Sequence, residues 1–331
     1  MPTAAHLLEV KKLTIEFRTD AGTIRAVDGI SYYIDEGEIV GLVGESGCGK
    51  SASQLSVLQL IPTPPGKIVS GEVLFHGVDI LTFDPEGGGM RAIRGGKIGM
   101  IFQEPMTSLN PVLTIGRQII ETLMLHLKMD RRAARKRAIE LVDLMGIPDA
   151  AQRIDNYPHQ FSGGMRQRIM IAMALSCNPR ILVADEPTTA LDVTTQAQIL
   201  EILRDKVKEF NTSLLIVTHN LGVVARYAHR IYVMYAGRIV ESGTAKEIFV
   251  DPRHPYTIGL LKSVPRLDEP KGRKLIPITG LPPNLSNMPA RCAFYPRCFK
   301  RSDTCNNKPW PELRLIGGQH YTACDSGCGE K

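Results

Sequence analysis

Nowhere in the 331 residues does an apolar run approach the ~18 that a membrane-crossing helix needs, so no segment is read as spanning a bilayer. The N-terminus, Met1-Pro-Thr-Ala-Ala-His-Leu-Leu-Glu9, has no basic region followed by an apolar stretch, and a secretory leader is not expected. Strong charge of either sign is missing too. Forty Lys+Arg against 34 Asp+Glu leave +6, which permits contact with anionic headgroups or phosphates without demanding nucleic acid. Cysteine is scarce until late: only Cys48 and Cys177 precede Cys292, and five of the seven follow from there. In the cytoplasm, where this chain is expected, stable disulfides are rare, so that late cluster needs another explanation. What is present is ordinary: 43% hydrophobic and 22% charged residues, in a chain long enough for one large core and an appended piece.

Alternating side chains over Leu8–Phe17 and a similar style over Ile24–Ile34 predict antiparallel strands. Ile39-Val-Gly-Leu-Val43, Ile181–Ala184 and Leu214–Thr218 read as buried strands, and helices are predicted from Lys50 towards Leu60 and over Thr194–Glu209. This alternation argues for an α/β chain with a parallel sheet core covered by helices. Helical spacing runs from about Ile115 to Gly146 and contains Asp130-Arg-Arg-Ala-Ala-Arg-Lys-Arg137, read as a solvated face in preference to a nucleic-acid contact. After about Ile276 prolines are frequent and periodicity is lost, marking an appendage held by something other than a large apolar core.

Two features carry nucleotide chemistry. Gly44-Glu-Ser-Gly-Cys-Gly-Lys-Ser51 fits G-x-x-x-x-G-K-[ST] between a buried strand and a helix. In such a loop the amides of Gly44, Glu45, Ser46, Gly47, Cys48 and Gly49 cradle phosphates. Lys50 neutralises the β- and γ-phosphates of ATP, and the Ser51 hydroxyl is a ligand for Mg²⁺. The second feature is Asp185-Glu186 at the end of an apolar strand. Asp185 is placed to hold Mg²⁺ and Glu186 to act as base on the attacking water.

Phe161-Ser-Gly-Gly-Met-Arg-Gln167, followed by Ile181-Leu-Val-Ala-Asp-Glu-Pro187, makes the chain resemble the nucleotide-binding domain of ATP-binding cassette (ABC) transporters over residues 7–260. The resemblance implies a P-loop NTPase fold with a mixed sheet core, an antiparallel β subdomain and a helical subdomain. It also implies that Gln103 contacts Mg²⁺ and the water, that His219 contacts the γ-phosphate, and that Phe17 stacks on adenine. The family signature is Leu-Ser-Gly-Gly-Gln; this chain departs from it at Phe161 and Met165 but keeps Ser162, Gly163 and Gly164, which act on the partner's ATP. Asp192 corresponds to the loop crossing the dimer interface. One set of these elements per chain requires a second ABC ATPase subunit, identical or related, and the resemblance leads us to expect a homologous, non-identical one.

The tail reads Cys292-x5-Cys298-x6-Cys305-x18-Cys324-x3-Cys328, and thiols so placed suggest a metal: zinc, or a [4Fe–4S] cluster, with free or packed cysteines as the plain alternative. His254-Pro-Tyr-Thr257, Gly280-Leu-Pro-Pro283, Tyr295-Pro-Arg-Cys298 and Phe102–Pro111 resemble the dipeptide/oligopeptide importer ATPases, with residues 261–331 as their C-terminal extension. That resemblance implies a [4Fe–4S] cluster on Cys292, Cys298, Cys305 and Cys324, Cys328 being the spare. It further implies two transmembrane permeases, an extracytoplasmic peptide-binding protein, no nucleic acid, and a peripheral position on the cytoplasmic face of the cell (inner) membrane. A nickel or glutathione importer, and more distantly a soluble non-transport ABC ATPase, are the alternatives.

Overall fold

Alternation at Leu8 and Val10 resumes out of phase at Leu13 and Ile15, and the computed structural model shows why. Strand β1 (Leu8–Thr19) carries an irregularity at Lys12, whose φ is 45°, so its buried set shifts by one residue and stays on one face. The structure describes residues 6–20, 22–104, 108–188, 191–263 and 277–325. It divides into two units, Met1–Leu81 with Thr218–Lys331, and Thr82–Val217.

In the first unit β1 lies between β2 (Gly22–Ile34) and β4 (Gly66–Phe75), with β5 (Val78–Asp79) beyond β4, all antiparallel as the alternation predicts. A second group of strands runs β11 (Arg314–Gly317), β12 (His320–Thr322), β10 (Arg238–Thr244), β9 (Arg230–Tyr235) and β3 (Ile39–Val43). β3 and β9 are parallel, and the other neighbours are antiparallel. The tail therefore joins the sheet through β12, which pairs with β10.

The helix after β3 spans Lys50–Val57 and stops short of Leu60. Gln59 takes a left-handed φ of 48° and its side-chain amide donates to the Ile80 carbonyl at 2.8 Å, which fixes the reversal before the prolines are reached. The same Pro-rich segment holds two cis peptides, Thr63-Pro64 and Pro64-Pro65.

The second unit places three parallel strands side by side, β6 (Ile98–Ile101), β7 (Ile181–Asp185) and β8 (Ser213–Thr218). Every residue of β7 and β8 is buried, which matches their unbroken apolar runs. The helical stretch predicted over 115–146 is two helices, Ile115–Leu127 and Arg131–Leu144. Lys128 turns left-handed, and the Asp130 carboxylate then accepts from the amides of Arg132 (2.8 Å) and Ala133 (3.0 Å), starting a new helix. Its basic face is solvated; Arg135 is bidentate with Asp155 at 2.7 and 2.6 Å and holds that carboxyl below its usual range. Among the described residues no helix is long and apolar enough to cross a membrane.

Candidate functional site

The phosphate loop emerges from β3 in a path open only to glycine at two positions. A Cβ at Gly44 would stand 2.2 Å from the Met234 carbonyl oxygen, and one at Gly49 2.1 Å from that of Ala26. Gly49 also has φ +103° and caps the helix Lys50–Val57, so the loop's last turn delivers the helix N-terminus. Lys50 is 5% exposed; its ammonium donates to the carbonyls of Gly44 (2.8 Å) and Glu45 (2.9 Å), lying back along the loop. Ser46 and Gly47 are exposed and Ser51 half-buried. Cys48 is buried; burial pushes its thiol up, and its carbonyl accepts from the Gly237 amide at 2.9 Å, which supports a packing role.

Two further residues of this unit were singled out in sequence. His219 is exposed directly after β8, and Asn220 next to it caps the following helix, Leu221–Tyr227. Phe17 is half-buried on β1 opposite Gly66, where a Cβ would meet its ring at 2.9 Å.

In the second unit, Asp185 ends β7 with 4% exposure and Glu186 follows with a left-handed φ of 46°. A non-glycine residue there is strained, and strain of this sort collects at functional sites. The Glu186 amide donates to the Val217 carbonyl at 2.8 Å, anchoring the turn to β8. Its carboxylate accepts from the Gln103 side-chain amide at 3.1 Å. Two residues 83 apart in sequence are thereby one hydrogen-bonded pair, an acceptor for a water proton beside an amide that can orient the water.

Ser162 caps the helix Gly163–Leu175, its hydroxyl accepting from the Met165 amide at 3.3 Å. A Cβ at Gly164 would meet the Thr195 methyl at 2.9 Å, and one at Gly163 the Leu191 side chain at 3.7 Å. Thr195 in turn donates its hydroxyl to Asp192 at 2.6 Å, and Asp192 caps the helix Val193–Glu209. The signature and the loop of Asp192 therefore meet, and two helix N-termini start at one place, a favourable setting for an anion. Ala190, in the same loop, lies outside the described residues.

The tail surrounds a cavity of about 290 Å³ lined by Cys292, Cys298, Cys305, Cys324, His254 and Phe294, among others. Burial, with Cys324 and Cys298 nearby, pushes the Cys292 thiol up to about 11, and burial raises Cys298 as well. The four thiols share one cavity and are the donor type for soft metals. Among the described residues, however, no group of three or more His, Cys, Asp or Glu side chains converges closely enough to hold a metal ion. Cys328 lies outside the described residues. Polar and aromatic contacts hold the tail: buried Glu241 on β10 accepts from the amides of Arg253 (2.6 Å) and His254 (2.9 Å) and pairs with His320 of β12 (2.7 Å). Phe294 packs edge-on against Tyr235 and Tyr256 at 5.2 and 5.4 Å between centroids.

Sequence reasoning missed two residues. Tyr256 accepts the Glu45 amide proton at 2.8 Å, and Arg297 of the tail forms a bidentate pair with the Glu45 carboxylate. The only local signal was Tyr256 and Arg297 standing inside the His-Pro-Tyr-Thr and Tyr-Pro-Arg-Cys segments.

Residues 27–189 match the ABC transporter family model, and residues 240–305 that of the oligopeptide/dipeptide transporter C-terminal region. Among curated proteins, the oligopeptide transport ATP-binding protein OppD of Bacillus subtilis is 50% identical over 94% of this chain and 90% of its own. The dipeptide transport ATP-binding protein DppD of the same organism is 49% identical over 96% and 94%, and a putative peptide import ATP-binding protein of Brucella melitensis 51% over 96% of both. Among solved structures, the dimeric ATP-binding cassette MJ0796 in a post-hydrolysis state bound to ADP and Pi shares 30% identity. It matches with a TM-score of 0.64 over 72% of this chain and 98% of its own.

Proposed function

This chain belongs to the ABC transporter family as an import ATPase with the oligopeptide/dipeptide-type C-terminal region, and from that premise we propose that it powers uptake of di- or oligopeptides. The observation that carries the cargo is the run of about-half identity to oligopeptide and dipeptide transport ATPases across 94% and 96% of the chain. In this reading the ATPase subunit acts on the nucleotide while the permeases handle the peptide. We take 7–260 as the ATPase domain and 261–331 as the extension.

In the proposed reaction the amides of residues 44–49, Lys50 and Ser51 receive the phosphates, and Phe17 stacks on adenine. Glu186 accepts a proton from the attacking water while Gln103 orients it, and His219 touches the γ-phosphate. Mg²⁺, when bound, supplies charge neutralisation between the phosphates; the Ser51 hydroxyl at a helix N-terminus and the buried Asp185 carboxylate are the oxygen donors that suit it, with Gln103 beside them in role. Ser162, Gly163 and Gly164 serve the ATP of a second, homologous subunit, and Asp192 links the two. Two permeases, an extracytoplasmic binding protein and a peripheral place on the cytoplasmic face of the inner membrane complete the assembly. For the tail we propose a metal–thiolate site on Cys292, Cys298, Cys305 and Cys324, a [4Fe–4S] cluster in preference to zinc. Its support is the shared cavity; the thiols must draw together to ligate.

The test is reconstitution of the chain with its partner ATPase, permeases and binding protein in liposomes. Peptide-dependent ATP hydrolysis with peptide uptake is expected; stimulation by nickel or glutathione and not by peptides would replace the cargo. Iron, sulfide and zinc analysis of anaerobically purified protein decides the tail: about four irons and four sulfides, one zinc, or neither, with Cys298→Ser losing whatever is bound.

A further inference from the structure

The phosphate loop is held at one residue from outside the ATPase motifs. Glu45, the second residue of the loop, has its amide on the Tyr256 hydroxyl (2.8 Å), its carbonyl on the Lys50 ammonium (2.9 Å) and both carboxylate oxygens on Arg297 (2.6 and 2.8 Å). Arg297 lies 252 positions away, at the end of the 3₁₀ turn Tyr295–Arg297 and next to Cys298 in the tail. Its side chain is 5% exposed, against 24% for Glu45.

The guanidinium is itself held by other groups of the chain. Its Nε donates to the Thr279 carbonyl at 3.2 Å, and one terminal nitrogen also reaches the Tyr235 hydroxyl at 3.5 Å. Tyr235 packs on Tyr256 at 4.5 Å between centroids, so the two groups that hold Glu45 support each other. Residues Pro282, Pro283 and Leu285 line a small recess together with Glu45, Ser46, Gly47 and Cys48, which brings a second stretch of the tail against the same loop.

We propose that Arg297 is a positioning residue for ATP: the tail fixes and neutralises Glu45 so that the phosphate loop is preset for nucleotide. Two physical effects act together. A bidentate Arg–carboxylate fork fixes both position and plane, which a lysine cannot reproduce. A bare carboxylate in a loop that must receive a polyphosphate opposes binding through like charge, and Arg297 cancels that charge. Neither residue belongs to the water-activating pair of Gln103 and Glu186, so the effect is expected on nucleotide affinity more than on the chemical step. The inference rests on the reading of Gly44–Ser51 as the phosphate loop.

The experiment measures binding of a fluorescent ATP analogue and steady-state ATPase for the full-length chain and five variants, with melting temperatures alongside. K50A is the reference for the loop itself and loses tight binding. R297Q is expected to weaken binding by about tenfold or more, in the range of ordinary coupling between sites. It raises KM for ATP by a similar factor, with a smaller change in kcat. R297K keeps charge without the fork and falls between. E45Q alone, which loses the fork but leaves no bare carboxylate, falls between the wild type and R297Q, and R297Q/E45Q recovers the part of the R297Q loss that comes from the unneutralised charge, which a merely structural role would not produce. R297Q binding like the wild type overturns the proposal. So does an R297Q/E45Q variant no better than R297Q with both melting early, since the arginine then only stabilises the fold. Unchanged binding in K50A removes the phosphate-loop reading and this proposal with it.

Discussion

Glu186 shows what one residue's backbone can reveal. A glutamate at φ 46° is costly by roughly 1 kcal/mol or more, and it persists because its amide is tied to Val217 and its carboxylate to Gln103. If it is the base, Glu186→Gln lowers turnover by 10²–10⁴, the usual contribution of a general base, while ATP stays bound. Turnover measured beside nucleotide retention checks this, and near-normal hydrolysis removes Glu186 from the role. His254 supports a prediction in pH. It is fully buried and its Nδ1 accepts the Tyr256 amide proton, so the neutral ring is the folded form; burial takes its pKa from 6.5 to about 4, against a smaller upward pull from Glu241. Its neighbour Glu241 also faces His320. The unfolded chain takes up the proton near pH 6.5 and the folded chain only near 4. Stability contributed by this group is therefore full above pH 6.5 and falls between 6.5 and 4, by on the order of 3 kcal/mol. Melting temperatures from pH 7 to 5 should fall less in His254→Asn, whose side-chain oxygen can still take the Tyr256 amide.

Elements explain where the sequence was legible and where it was not. Strands β1, β3, β7 and β8 could be read because burial imposes period 2 or an unbroken apolar run. The loop Gly44–Ser51 could be read because phosphate binding fixes residue types at fixed spacing. The break between Ile115–Leu127 and Arg131–Leu144 was hidden because both helices share one apolar periodicity, and the break rests on a single Asp130 cap. Arg297 was hidden for the opposite reason: its partner is 252 residues away, and no local pattern reports such a pair. Asp192 carries two readings that an element-level test separates. As a cap it accepts from the amides of Thr194 (3.1 Å) and Thr195 (3.0 Å), so Asp192→Ala should lower the melting temperature. Asp192→Asn keeps a capping oxygen and should melt like the wild type. If Asp192 also links two subunits, the Asn variant loses ATPase in the assembled transporter while keeping its stability; full activity in that variant leaves the cap as its whole role.

At the scale of the molecule, each chain has one phosphate loop and one signature, and the signature's capped helix starts beside the Asp192 helix. A chain so equipped cannot complete hydrolysis alone if the signature acts on another chain's ATP. The isolated protein should then show turnover per chain that rises with protein concentration, because active species form by association and only weakly. Adding the partner ATPase and permeases should lift turnover severalfold and remove the concentration dependence, since the membrane subunits hold the two ATPases at high effective concentration. The same assembly tests location. Among its described residues the chain has no helix long and apolar enough to cross a membrane, and its net charge is +6. It should sediment with membranes when the permeases are present and leave them in their absence. Turnover per chain that stays constant over a hundredfold dilution would mean that one chain suffices, and the signature would then need a different task.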